Sequence, residues 1–117
     1  MPKTILIIQE DLVILKILQR LMMLHSYECK AIRSIAELDI DDQKRNYDFI
    51  ISDILFEGIA PLDFVFQIKE IFHHKALIIV TNMGQKKVRE EVMASKNVNG
   101  FFSVPFDMAQ IENMIAG

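Results

Sequence analysis

The chain has 117 residues, a little over half of them apolar, and a net charge of −3. That is one domain's worth of sequence with enough apolar material for a core, and its acidic balance lacks the basic footprint of a nucleic-acid-binding module. Cys29 is the only cysteine, which excludes an intrachain disulfide and fits a reducing compartment. No apolar stretch approaches the ~18–20 residues of a membrane span, and the run after Met1-Pro2-Lys3 is too short for a signal-peptide core. The expectation is a single soluble, cytoplasmic domain over residues 1–117, acting alone or as the N-terminal piece of a longer protein.

Residues 4–8 are a β-branched apolar run, Ile5-Leu6-Ile7-Ile8 at its centre, ending in Gln9-Glu10-Asp11. In 11–25 a broad apolar stripe (Leu12, Leu15, Ile17, Leu18, Leu21, Met22) predicts a helix. A weaker strand follows at 27–32. Segment 34–44 opens with Ser34 and Glu37 in capping-box spacing and predicts a second helix. The run 48–52 predicts a strand and closes on Asp53. In 61–72, Phe64, Val65, Ile68, Ile71 and Phe72 recur at three- and four-residue steps, a helix. The strand at 76–81 ends in Thr81. Segment 84–96 is mostly polar around Val88, Val92 and Met93, an exposed amphipathic helix. Residues 100–103 form a short mixed strand, and Asp107 caps a last helix over 107–116 carrying Ile111, Met114 and Ile115.

Strands alternating with helices predict an α/β domain, a parallel sheet with helices on both faces. The three most apolar strands (4–8, 48–52, 76–81) belong in the buried centre, and right-handed crossovers then favour the order 2-1-3-4-5. Ligands of such sheets bind outside the carboxyl ends of the strands, where the order reverses. Here that edge carries Gln9, Glu10 and Asp53.

These residues and their spacing resemble the receiver domain of bacterial response regulators along essentially the whole chain. The resemblance implies a flavodoxin-like (βα)5 three-layer sandwich working in two-component, phosphorelay signalling. Asp53 matches the phosphoacceptor. Gln9 and Glu10 match the acidic pair that helps bind magnesium, and Leu55 matches the residue whose backbone carbonyl ligates it. Thr81, followed by Asn82, matches the hydroxyl position of the switch, and Phe101 the aromatic one. Val104-Pro105-Phe106 matches the Lys-Pro-Phe stretch, with valine where the family has lysine. Phe56-Glu57 replaces Met-Pro, and Ala60-Pro61 stands where Asp-Gly is usual.

The departures bear on the chemistry. Gln9 offers only a neutral amide oxygen, through a water, so Mg2+ held by Glu10, Asp53 and the Leu55 carbonyl is expected to bind weakly. Val104 offers no donor to a phosphoryl oxygen. Losing one charge-assisted hydrogen bond costs about 1.5–3 kcal/mol, roughly ten- to a hundredfold. It also leaves Asp53 and Glu10 without a built-in counterion. Asp11, beside them, reads as an acid starting a helix.

The resemblance implies a signalling module, not an enzyme. Its partners would be a sensor histidine kinase or phosphotransfer protein, and a downstream effector or fused output domain. Output would pass through the face of helix 4, strand 5 and helix 5, with no nucleic-acid or membrane contact. The alternative is a phosphorylation-independent docking module or homodimer using Val98, Phe102, Met108 and Ile111 on that face. A strand-end aspartate also suits a magnesium-dependent phosphohydrolase, but the second acid such enzymes carry two residues on is Leu55 here.

Elsewhere the signals are weak. His25, His73 and His74 show no metal-ligand spacing, and the last two suit a helix end. Lys86-Lys87-Val88-Arg89 and His73-His74-Lys75 read as a solvated helix face or helix end. The methionines read as core filler, and no glycine-rich phosphate loop or hydrolase elbow occurs.

Overall fold

The computed structural model describes residues 2–82 and 85–117. Five strands form one parallel sheet: β1 (Thr4–Ile8), β2 (Glu28–Ile32), β3 (Asn46–Ser52), β4 (His73–Thr81) and β5 (Gly100–Ser103). Their order is β2-β1-β3-β4-β5. The helices are α1 (Leu12–Leu24), α2 (Ile40–Lys44), α3 (Pro61–Ile71), α4 (Lys86–Ala94) and α5 (Met108–Ala116). The expected α/β sandwich and strand order are both present. Residue 84, where the fourth helix was expected to begin, lies outside the described residues.

Side chains alternate across a strand, so each apolar run feeds two cores at once. Leu6, Ile8, Ile50, Leu77 and Ile79 pack with Phe64, Val65 and Ile68 of α3 and Val92 of α4. Ile5, Ile7, Ile51, Ile78 and Val80 pack with Ile14, Leu18 and Met22 of α1 and Ile111 and Ile115 of α5.

Three local differences from the expectations have clear causes. The segment 34–44 is not one helix. A 3-10 turn (Ile35–Glu37) ends where Leu38 drops into the core, and Asp39 then caps α2 by accepting from the Asp42 N–H at 2.8 Å. β3 and β4 start earlier than their apolar parts, because the ladder continues through Asn46–His73 and Tyr47–His74. His73 and His74 therefore open a strand rather than finish a helix.

The expected stripe of α1 is only partly buried. Leu15, Leu18, Leu21 and Met22 face the sheet, whereas Leu12 and Ile17 are exposed, together with Val13, Met23 and Leu24. Ten of the 13 residues of α1 are apolar, so the helix has more apolar surface than one sheet face can cover.

Candidate functional site

β1 and β3 lie side by side, and the Asp53 N–H donates to the Ile8 carbonyl at 2.8 Å, just past the last paired residues. This bond fixes Asp53 at the carboxyl edge, beside Gln9. Asp53 is 5 % exposed. Its Oδ1 accepts from the backbone N–H groups of Ile54 (2.7 Å) and Leu55 (3.3 Å). Oδ2 makes no hydrogen bond among the described residues, and no cation among them pairs with this carboxylate.

Gln9 is fully buried and its amide is engaged at both ends. Nε2 donates to the Val80 carbonyl on β4 at 3.0 Å, and Oε1 accepts from the Asp11 N–H at 3.2 Å. Strand parity explains the reach across β3. The Asp53 N–H faces β1, so the Ile54 N–H is the next donor toward β4. It turns instead to Asp53 Oδ1, and Gln9 serves the Val80 carbonyl that β3 leaves.

Glu10 is exposed, but its backbone is anchored. The Arg33 guanidinium donates twice to the Glu10 carbonyl, from Nε at 3.2 Å and a terminal nitrogen at 3.0 Å. The Arg33 N–H is in turn held by the Glu37 carboxylate, which also accepts from the Ser34 N–H at 3.3 Å. The sequence reading missed Arg33. Its one local signal was that it directly precedes the Ser34–Glu37 capping pattern.

Asp11 behaves as expected of a helix-starting acid. Oδ1 caps α1 through the Val13 and Ile14 N–H groups at 2.9 and 3.2 Å, and Oδ2 accepts from the Asn82 amide at 3.4 Å. Thr81 is buried at the end of β4, and its carbonyl accepts from the Val104 N–H at 3.0 Å. Val104 is 46 % exposed and precedes Pro105 through a cis peptide bond. Phe101 points inward, packed in the core that holds Val92 and Val98. Leu55 is half-buried in the turn after β3.

The apolar face expected on α4, β5 and α5 is smaller than the sequence suggested. Val98 and Ile111 are core residues, 6 % and 0 % exposed, because the α4–β5 connection and α5 turn them onto the sheet. Phe102 is half-buried and Met108 is exposed. Apolar surface is concentrated instead on α1. Val13, Ile17, Leu21, Leu24 and Met108 line a groove of about 450 Å3, with Lys16 and Arg20 beside them.

Other reactive groups have structural surroundings. Burial pushes the Cys29 thiol up to about 11, which keeps it protonated near neutrality. His25 lies 3.6 Å from Glu112, which also accepts from the Tyr27 hydroxyl at 2.9 Å. Among the described residues no three acidic, histidine or cysteine side chains converge as a metal cluster. No helix among them is long and apolar enough to cross a membrane.

The model of the response regulator receiver domain matches residues 5–116. The chain belongs to the response regulator receiver domain family. Receivers are generally non-enzymatic modules of two-component signalling, and they generally bind Mg2+ in their active site. The fold is similar to that of a response regulator receiver domain protein from Clostridium thermocellum (25% identity, TM-score 0.77), covering 97% of this chain and 91% of that one. It is also similar to an adenylate cyclase from Rhodopirellula baltica (19% identity, TM-score 0.80), covering 99% and 86%. A third similar structure is the receiver domain of a sensor histidine kinase from Pseudomonas aeruginosa, with magnesium coordinated in its active-site cleft (14% identity, TM-score 0.75), covering 98% and 95%. A search of curated proteins found no match.

Proposed function

We propose that this receiver accepts a phosphoryl group on Asp53. The observation that supports this most is the arrangement of its carboxylate. Two backbone N–H groups hold Oδ1, while Oδ2 has no bond to a described residue. Oδ2 is then the nucleophile. It forms a P–O bond as the P–N bond of a phosphohistidine donor breaks, and the departing imidazole keeps the electron pair. Positioning and charge neutralisation supply most of the catalysis of such a transfer.

The donor set fits Mg2+ incompletely. Asp53, Glu10 and the Leu55 carbonyl would hold the ion, with waters filling the remaining positions. Bound there, it would neutralise charge on the phosphoryl oxygens. Gln9 adds no charge, and its oxygen is already used by Asp11. Arg33 orients the Glu10 backbone, and Thr81 and Phe101 are the switch residues of this reading.

The phosphodonor docks on α1. The groove of Val13, Ile17 and Leu24 is apolar, Lys16 and Arg20 flank it, and α1 contains no acid. That pattern suits an amphipathic helix carrying acidic residues, as a sensor kinase or phosphotransfer protein would present. Output passes through α4, β5 and α5 to an effector or a fused output domain.

A second reading, a phosphorylation-independent docking or dimerisation module, is favoured by one observation. The Gln9 amide already ties β1 to β4, and Val104 provides no cation. Incubation with a small phosphodonor and Mg2+ followed by intact-mass measurement separates the two. A covalent adduct that disappears in Asp53→Asn supports phosphorylation, whereas no adduct at any donor or metal concentration supports the second reading. Ile17→Glu leaves labelling by the small donor intact and abolishes transfer from a phosphohistidine protein, provided α1 is the docking face.

A further inference from the structure

A cleft of the described residues lies at the other end of the sheet from Asp53. It encloses about 760 Å3 where β3 and β4 begin, between the last turn of α3 and the connection from α4 to β5. Its polar lining is strongly biased. Lys69, His73, His74, Lys75 and Lys96 all border it, and Asp48 is its one acid. The whole chain has only 13 Lys and Arg, three His and a net charge of −3, so this is a local concentration of basic groups against the overall balance.

The internal bonds leave that bias largely uncompensated. Asp48 is committed to the Lys75 ammonium at 3.1 Å and to the Thr4 N–H at 2.8 Å. Lys69 donates to the neutral Asn97 amide oxygen at 3.2 Å, and neither Lys69 nor Lys96 forms an ion pair among the described residues. Lys96 sits at φ 62, a left-handed position that glycine or asparagine would occupy with less strain. The neighbouring amides add to the effect. Asn97 spends its oxygen on Lys69, and Asn99 spends its oxygen on the Leu77 N–H at 3.0 Å. Neither NH2 group donates to another described residue, which leaves both as unused donors. A concave site rich in donors and poor in acceptors repels cations and selects clustered anionic oxygens.

We propose that this cleft binds a compact polyanion, phosphate- or carboxylate-bearing, with Lys69 and Lys96 as its principal charged contacts. A bound anion would bridge the end of α3 to the α4–β5 connection. The site is independent of the chemistry assigned to Asp53.

The test is titration of the full chain with inorganic pyrophosphate and, separately, with citrate at low ionic strength. Calorimetry gives stoichiometry, and amide NMR gives location. The expected result is saturable one-to-one binding that shifts the Asn97 and Asn99 signals and weakens with salt. Lys69→Gln and Lys96→Gln remove charge but keep a hydrogen-bonding side chain, and each should weaken binding about tenfold or more. Asp53→Asn should bind as the parent does, which separates this cleft from the opposite edge. Binding of pyrophosphate alone assigns phosphate as the source chemistry, and binding of citrate alone assigns carboxylate. No saturable binding at millimolar ligand, or binding unchanged in both lysine variants, overturns the proposal.

Discussion

Replacing Gln9 by glutamate returns a carboxylate to the family's acidic pair, yet the structure indicates that the protein will be less stable for it. The two side chains have nearly the same shape, so the change is one of charge and donor capacity. Nε2 now donates to the Val80 carbonyl across 3.0 Å, between two residues with no solvent exposure. A carboxylate oxygen in its place faces that carbonyl with no proton between them. Losing the partner of a buried polar group costs about 1–3 kcal/mol, and more when a charge is involved. Against a typical total of about 5–15 kcal/mol, a loss of ~3 kcal/mol is large. At roughly 3–6 °C per kcal/mol for a chain of this size, Gln9→Glu should lower Tm by about 10–15 °C at neutral pH. The penalty belongs to the ionised form. The new carboxyl would have a folded pKa above its unfolded value, so the deficit shrinks as pH falls through that raised value and the acid form can donate again. Magnesium acts in the same direction. An ion that binds only the folded state at a hundred times its Kd restores ~2.7 kcal/mol. Thermal unfolding followed by circular dichroism, with chelator and then with increasing Mg2+, reads both effects. A Tm equal to the parent's in chelator at neutral pH would refute the view that Gln9 acts as an amide clip between β1 and β4.

Val104→Lys supplies the missing cation and should raise the rate of Asp53 labelling by a small phosphodonor roughly tenfold or more, followed by intact mass against time. Asp11→Ala removes the cap of α1 and should cost about 1 kcal/mol in urea unfolding, with little effect on labelling. Arg33→Ala frees the Glu10 backbone and should weaken Mg2+ binding in a metal titration while leaving Tm nearly unchanged, since Arg33 is exposed. The Thr4 N–H and then Lys75 hold the Asp48 carboxyl below its usual range. Its contribution to stability is therefore present above the unfolded value of ~3.9 and is lost as pH falls through the folded one. Asp48→Ala should be less stable than the parent at neutral pH, and the gap should narrow in acid, measured by urea midpoints at both pH values.

Much of this molecule could be read from local pattern. A strand announces itself by alternation or by a β-branched run, so the five strands, their order and the place of Asp53 at the end of β3 followed from residues close together in the chain. The cap at Asp107 was equally local, since an N-cap bonds only to its own first turn, whereas Asp11 read only as an acid starting a helix and proves to be the cap of α1. Other features depended on what lies across the sheet. α1 is apolar on most of its circumference, and only packing decides that Leu18 is buried while Val13 is exposed. Val98 and Ile111 looked like surface candidates, but the α4–β5 connection and α5 turn them onto the sheet. Gln9 meets Val80, Arg33 meets Glu10, and Lys69 meets Asn97 across 71, 23 and 28 positions of sequence. Periodicity within one segment cannot report which distant polar group a side chain will reach. Those partners are settled by strand register and helix packing, and they decide whether a given amide or guanidinium is free for chemistry or already part of the frame.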